Sequence, residues 1–293
     1  MTQITSYVRS LERSRTARTR EDRPPTFTLF GRTWDLLDDV FAPPFSRSTS
    51  VAMTLLGLTE ELTPRTGSFL EIGCGTGTIA VSAALAGCDR VTAADINPQA
   101  VANTVLNARR HRVSDRLSSV HGDLFDALAP EERFDTVYWH SNFVLAPEDH
   151  EYEHAHDRAY VDPGYRAHER YLAQGPRRLT PGGRQLLHFS DRGDLDLLHS
   201  LAARHGRALH LLDSLRDTDG EDTVEHLLFE VRAAESGAGA GRVSGGGAGD
   251  GTAASEAAAG PAAGAQGDRP GADGDGDGPG GAAYRGGVGP AGS

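Results

Sequence analysis

From Gly67 onward, short apolar runs alternate with helix-length amphipathic segments, the pattern expected of a parallel sheet with crossover helices. Ser68 to Ile72 reads as a first strand and Thr78 to Ala86 as its helix. Arg90 to Ala94 and Pro98 to Arg110 repeat the unit. Pro98 suits a first helical position, where its missing N–H is no loss. Leu117 to His121 and Phe134 to Trp139 read as the third and fourth strands, and Tyr165 to Arg178 as a long helix. Leu179-Thr180-Pro181-Gly182-Gly183 reads as a turn. Arg184 to Phe189 follows as a strand and Leu195 to His205 as a helix. Ala208 to Leu212 and Val224 to Val231 close the pattern as a pair of strands.

Composition shortens the foldable part of the 293 residues. From Ala234 onward the chain lacks Leu, Ile, Phe, Met and Trp, and Tyr284 is its sole aromatic. Such a segment cannot bury enough apolar surface to offset its chain entropy, so residues 234–293 are expected to be disordered. Residues 1–64 read as an N-terminal extension and cap, and residues 65–233 as the catalytic domain. The formal net charge of −12 argues against nucleic acid as a partner, because phosphate contacts need clustered cations. Arg9, Arg13, Arg15, Arg18, Arg20 and Arg23 form a local exception: either a contact for an anionic surface or a solvated lead. Two cysteines are too few for a disulfide framework, no apolar run approaches the roughly 20 residues of a membrane span, and no secretory signal opens the chain. The expected setting is cytoplasmic, without a membrane partner.

The candidate chemistry begins at Glu71-Ile72-Gly73-Cys74-Gly75-Thr76-Gly77, a glycine-rich turn between strand and helix that lets a ligand approach the backbone closely. Asp95 ends the second strand eighteen residues after Gly77, where a carboxylate can accept hydrogen bonds from ribose hydroxyls. Dinucleotide sites share both features. Glu71, the Asp95-Ile96-Asn97-Pro98 run and Gly122-Asp123-Leu124-Phe125 shift the balance, and together they resemble the class I S-adenosylmethionine (SAM)-dependent methyltransferase family. That resemblance spans about residues 67–232. It implies a Rossmann-like three-layer α/β sandwich on a seven-stranded, mostly parallel sheet with one antiparallel edge strand, and SAM as co-substrate. It implies further that Gly73, Cys74, Gly75 and Gly77 face the methionine portion, Asp95 and Ile96 the ribose, and that Asp123 holds the adenine amino group with Leu124 near the ring.

The acceptor is expected beyond the fourth strand, at Trp139-His140-Ser141-Asn142-Phe143. Family members that methylate planar amide or adenine nitrogens carry Asn-Pro-Pro-Tyr here, and this chain does not. His140 is the first candidate base, since histidine titrates near neutral pH, or else a histidine bonded to the turn. Asn142 is a candidate for binding a polar group of the donor or acceptor. Tyr138, Trp139 or Phe143 either face a sulfonium or belong to the core. The loop from Asp149 to Asp157 is rich in acids and histidines without a zinc-site spacing, so it reads as a lid with no metal, and His154 is the second candidate base. Ser46, Ser48, Thr49 and Ser50 either reach the donor or cap a helix.

A sulfonium has three electrophilic carbons. The segment from Phe27 to Ser50 and the departure at His140 to Phe143 resemble the isonocardicin synthase-like group of natural-product enzymes. That resemblance implies 3-amino-3-carboxypropyl transfer to a phenol oxygen of a small-molecule acceptor in antibiotic biosynthesis. Ordinary O- or N-methylation of a small molecule ranks second, and an RNA or protein methyltransferase, with the Arg-rich start recruiting its target, third. A SAM-binding regulator without turnover is a further alternative.

Overall fold

The computed structural model describes residues 3–219 and 222–234; nearly all of the segment expected to be disordered lies outside them. The chain opens with a helix, α1 (Gln3–Thr19), and a hairpin of β1 (Thr26–Leu29) and β2 (Arg32–Asp35). The two hairpin strands pair across Phe30 and Gly31, both at positive φ, which the two-residue hairpin turn requires. A short helix, α2 (Ser48–Leu55), leads into the sheet.

Alternation of strands and helices then runs as the pattern predicts: β3 (Ser68–Ile72), α3 (Thr78–Leu85), β4 (Arg90–Asp95), α4 (Pro98–Arg110), β5 (Leu117–His121) and β6 (Phe134–His140). Two two-residue strands, β7 (Leu145–Ala146) and β8 (Asp162–Pro163), pair with each other at the two ends of the acidic loop. Then come α5 (Arg166–Gln174), β9 (Leu179–Ser190), α6 (Leu195–Arg204), β10 (Arg207–Asp219) and β11 (Asp222–Ala233). The seven-stranded sheet has the order β10-β11-β9-β6-β3-β4-β5, and β11 is its antiparallel strand, inside a hairpin whose other member, β10, forms the sheet edge.

Neighbouring residues on a strand point to opposite faces, and the core divides accordingly. Phe69, Tyr138 and Leu228 pack on one side with Ile79, Ala83 and Trp34. Leu70, Trp139 and Phe229 pack on the other with Tyr171, Leu198 and Leu201. Two readings differ in detail from the structure. The long helix ends at Gln174 and tightens into a 3-10 turn over Gly175–Arg178, where Pro176 withholds an N–H from the helical ladder. The turn expected at Leu179 to Gly183 is absorbed into β9 as an irregularity: Phe134 pairs with Leu179 but Thr136 with Arg184, and Gly182 bends the excess chain at φ +81°.

Candidate active site

The crossover from β3 goes outward to β4 and β5, and the chain then returns to lay β6 on the opposite side of β3. The crevice of an open α/β sheet lies at such a switch point, beyond the carboxyl ends of the strands. A cavity of about 550 Å³ occupies it, within the roughly 300–1,000 Å³ usual for small-molecule sites.

The floor is the glycine turn after β3. Gly73, Gly75 and Gly77 all have positive φ, at 66°, 53° and 76°. A Cβ on Gly77 would stand 2.7–2.9 Å from three atoms of Thr104, so this glycine lets α3 and α4 approach; a Cβ on Gly75 would meet nothing within 4 Å. Gly75 therefore leaves open a cradle that a side chain would fill. Asp95 at the end of β4 accepts the Gly75 N–H at 2.9 Å and the Asn97 N–H at 2.8 Å, which ties the second strand to the glycine turn. Glu71 is 2% exposed and accepts the Ala80 N–H at 2.8 Å. Burial, against that hydrogen bond and with a further push from Asp95, drives its carboxyl well above the usual carboxylate range. Cys74 is buried, and burial first, then Asp95 and Glu71, raises its thiol far from the reactive range. Ile96, Asp123 and Leu124 line the same cavity. Leu124 adopts φ +54°, and Asp123 receives Arg170 at 2.7 Å.

The opposite wall comes from β6 and the loop after it. Trp139 lines the cavity, whereas Tyr138 is fully buried in the core. His140 stacks on His188 with ring centroids 4.3 Å apart, and His188 hydrogen-bonds His226 at 2.9 Å. Burial, then the neighbouring His226, lowers His140 to about 3, so it is an uncharged imidazole at neutral pH and a weak proton acceptor. Asn142 Nδ2 donates to the carbonyls of Arg158 and Val161 at 2.9 and 2.8 Å, fastening this loop to the acidic one. His154 is exposed, starts the short helix Ala155–Ala159, and does not line the cavity; His156, two residues on, does.

The cap part of the roof was legible in the sequence, and the part built from α1 was not. Ser10, Arg13, Thr16 and Ala17 of α1 line the cavity, so part of the Arg-rich start is a wall of the site. Asp39, Phe41, Phe45, Ser46, Ser48 and Thr49 cover it from the cap, while Ser50 turns back to the Arg47 carbonyl. Three asparagines hold that cap down. Asn107 accepts the Asp35 N–H, Asn103 accepts the Leu37 N–H, and Asn97 donates to the Asp39 carbonyl. Asn103 and Asn107 are fully buried one turn apart on α4, and that spacing is the signal that could have found them.

Comparison with known proteins agrees with this architecture: residues 69–160 match the family model described as "Methyltransferase domain". Within residues 69–160 the chain resembles a methyltransferase domain, on a sheet with the Rossmann-like methyltransferase fold. SAM is the co-substrate of that fold, and the open cradle at Gly75 beside the Asp95 carboxylate fits it. A release factor glutamine methyltransferase of Bordetella pertussis is 31% identical over 180 residues, 57% of this chain and 64% of that protein. A human release factor glutamine methyltransferase is 28% identical over 219 residues, 70% of this chain and 61% of that one. A ribosomal protein L11 methyltransferase of Methylococcus capsulatus is 54% identical over 50 residues, 17% of each chain. The matched region thus spans less than two thirds of each of these relatives.

Two expectations are overturned by these matches. Aminocarboxypropyl transfer in antibiotic biosynthesis and a small-molecule acceptor both give way, because the relatives are named for methylating proteins. The physical reason for the error is that a sulfonium-binding motif does not display which carbon is presented. A four-residue departure after β6 likewise changes a wall of the cavity without identifying what enters it. Among the described residues no helix is long and apolar enough to cross a membrane.

Proposed function

We propose that this chain transfers the methyl group of SAM to a side chain of a protein acceptor, releasing S-adenosylhomocysteine. The observation that carries the reading is the glycine cradle fixed to Asp95 inside a methyltransferase domain whose relatives are named for protein methylation. The net charge of −12 supports a basic polypeptide over RNA as the partner. Cys74 and Cys88 are free and buried, in keeping with a reducing, cytoplasmic setting.

Gly73 to Gly77 would hold the methionine portion, Asp95 and Ile96 the ribose, and Asp123 and Leu124 the adenine. SAM supplies an already activated methyl group, so what the protein adds is alignment and exclusion of water. Trp139 and Phe143 form an apolar wall, and α1 with the cap segment closes the cavity from above. Because His140 stands where the glutamine- and adenine-methylating relatives carry the asparagine of Asn-Pro-Pro-Tyr, the acceptor group is gripped differently here. The test is incubation of the protein with methyl-labelled SAM and a cell lysate, followed by fractionation. Label on discrete protein bands supports the proposal; label confined to RNA or to small molecules sinks it.

A further inference from the structure

His156 is a polar side chain of the cavity that neither the sequence nor the family pattern singles out. It is 2% exposed, lines the cavity, and belongs to the short helix against which α1 packs. Its Nδ1 lies 2.8 Å from Ser14 Oγ on α1, and Ser14 Oγ donates its hydrogen to Asp157 Oδ1 at 2.6 Å. Ser14 Oγ has a single hydrogen, and a carboxylate only accepts. Toward His156, then, the hydroxyl can only accept, so Nδ1 is the protonated nitrogen of the ring. Nε2 must carry the lone pair in the neutral ring, and it is buried with no hydrogen-bond partner among the described residues. A buried acceptor of this kind costs free energy unless a donor meets it.

We infer that His156 Nε2 accepts a hydrogen bond from the group to be methylated, with Ser14 and Asp157 fixing the tautomer that presents its lone pair. The inference rests on the methyl-transfer reading above and deepens it: the acceptor atom carries a hydrogen, as an amide or amine nitrogen or a hydroxyl does and a carboxylate does not. Such a bond orients the acceptor's own lone pair and fixes the rotation of its side chain, an alignment gain realised in the transfer step. The groups around the ring agree with a neutral histidine. Burial, then Arg23, lowers its pKa to about 4; Asp157 and Asp39 oppose them, Arg18 adds to them, and the Tyr160 ring lies 5.2 Å away. α1 thus supplies both part of the cavity roof and, through Ser14, the hydroxyl that sets the tautomer of His156.

Two measurements test this. Long-range proton–nitrogen correlation NMR on histidine-labelled protein reads the tautomer of His156 without any acceptor. The expected result is a ring protonated at Nδ1, with that preference weakened in Ser14→Ala; a ring protonated at Nε2 in the unaltered protein overturns the inference. Single-turnover transfer from methyl-labelled SAM to lysate proteins is then compared across variants, with SAM affinity measured by calorimetry. His156→Ala is expected to slow transfer at least about tenfold with SAM affinity within about twofold, and His156→Gln, which keeps an acceptor atom, to restore part of the loss. Transfer within threefold of the unaltered rate in a folded His156→Ala overturns it. Should His156→Ala fail to fold, Ser14→Ala decides, with a slowing of at least about threefold expected and an unchanged rate counting against. A parent protein that labels no protein at all sinks the protein-acceptor reading, and the tautomer measurement then decides the role of His156 separately.

Discussion

Alanine at Gly75 and alanine at Gly77 should fail in different ways, although both glycines sit in one five-residue turn with positive φ. An L-residue held in the left-handed region costs roughly 1–2 kcal/mol, and that is the whole structural penalty at Gly75, where an added Cβ meets nothing within 4 Å. For a folded unit of this size, that corresponds to a melting-temperature loss of roughly 2–8 °C. At Gly77 the same strain is joined by overlap with Thr104, whose backbone Cα would lie 2.9 Å from the new atom. Because α4 must move to relieve that contact, a further 1–3 kcal/mol is expected, bringing the loss to roughly 2–5 kcal/mol. Binding separates the two again. The Gly75 methyl group projects into the open cradle proposed for SAM and should weaken affinity at least about tenfold, or 1.4 kcal/mol. Differential scanning calorimetry and SAM titration of both variants check this. Equal melting temperatures, or a Gly75→Ala variant that binds SAM normally, would refute the reasoning.

Four further outcomes follow from the site and its supports. Asp95→Ala should lose SAM binding by at least roughly a hundredfold, since it removes a charged acceptor and frees the Gly75 N–H, and calorimetry reads it. Asn103→Ala, which strips the cap of two hydrogen bonds from a fully buried residue, should cost about 2 kcal/mol in urea unfolding and expose the cap to proteolysis. His140 and His156 are held at about 3 and 4, so the unfolded chain binds protons that the native state does not. Stability should therefore fall as pH drops from about 6.5 towards 4, on the order of a few kcal/mol, with buried Glu71 acting in the opposite sense. Urea midpoints at pH 7 and pH 5 measure the slope, and replacing His140 and His156 by Gln should reduce it, with buried His188 keeping the remainder. Asp135 accepts from Thr180 and Ser68, whose hydrogen bonds hold it at about 2, so Asp135→Asn should cost about 1 kcal/mol at pH 7 after allowance for solvent screening, with the difference fading as the pH falls through about 4 and gone only below about 2.

How much of this was legible in the sequence depends on how local each feature is. Strands β3 to β6 and helix α4 carry their own signals: period, a proline at the first turn of α4, and an Asn97 side chain that accepts the Gln99 N–H. The glycine turn and Asp95 were legible because their chemistry sits within a few residues of strand ends. The hairpin at Thr26 to Asp35 was missed, although Gly31 after Phe30 is a turn signal between two alternating runs. The α1 part of the roof and the buried anchors of the cap were missed for a different reason. Ser14 meets His156 across 142 residues, and Asn107 meets Asp35 across 72, so no window along the chain contains either pair. His154 was singled out for its residue type in an acidic loop; which of two histidines two residues apart faces a cavity is decided by the turn of a short helix. The acceptor was misread because the shape of a wall built from α1, the cap and two loops is a tertiary property.

Methyl transfer to a protein side chain is read by identifying the adenosine by-product and the methylated species together. The purified protein is incubated with methyl-labelled SAM and a mixture of ribosomal proteins and release factors, and both fractions are read by mass spectrometry. S-adenosylhomocysteine is expected in step with a mass gain of one methyl group on a protein. Methylthioadenosine, or S-adenosylhomocysteine with no methylated protein, would contradict it.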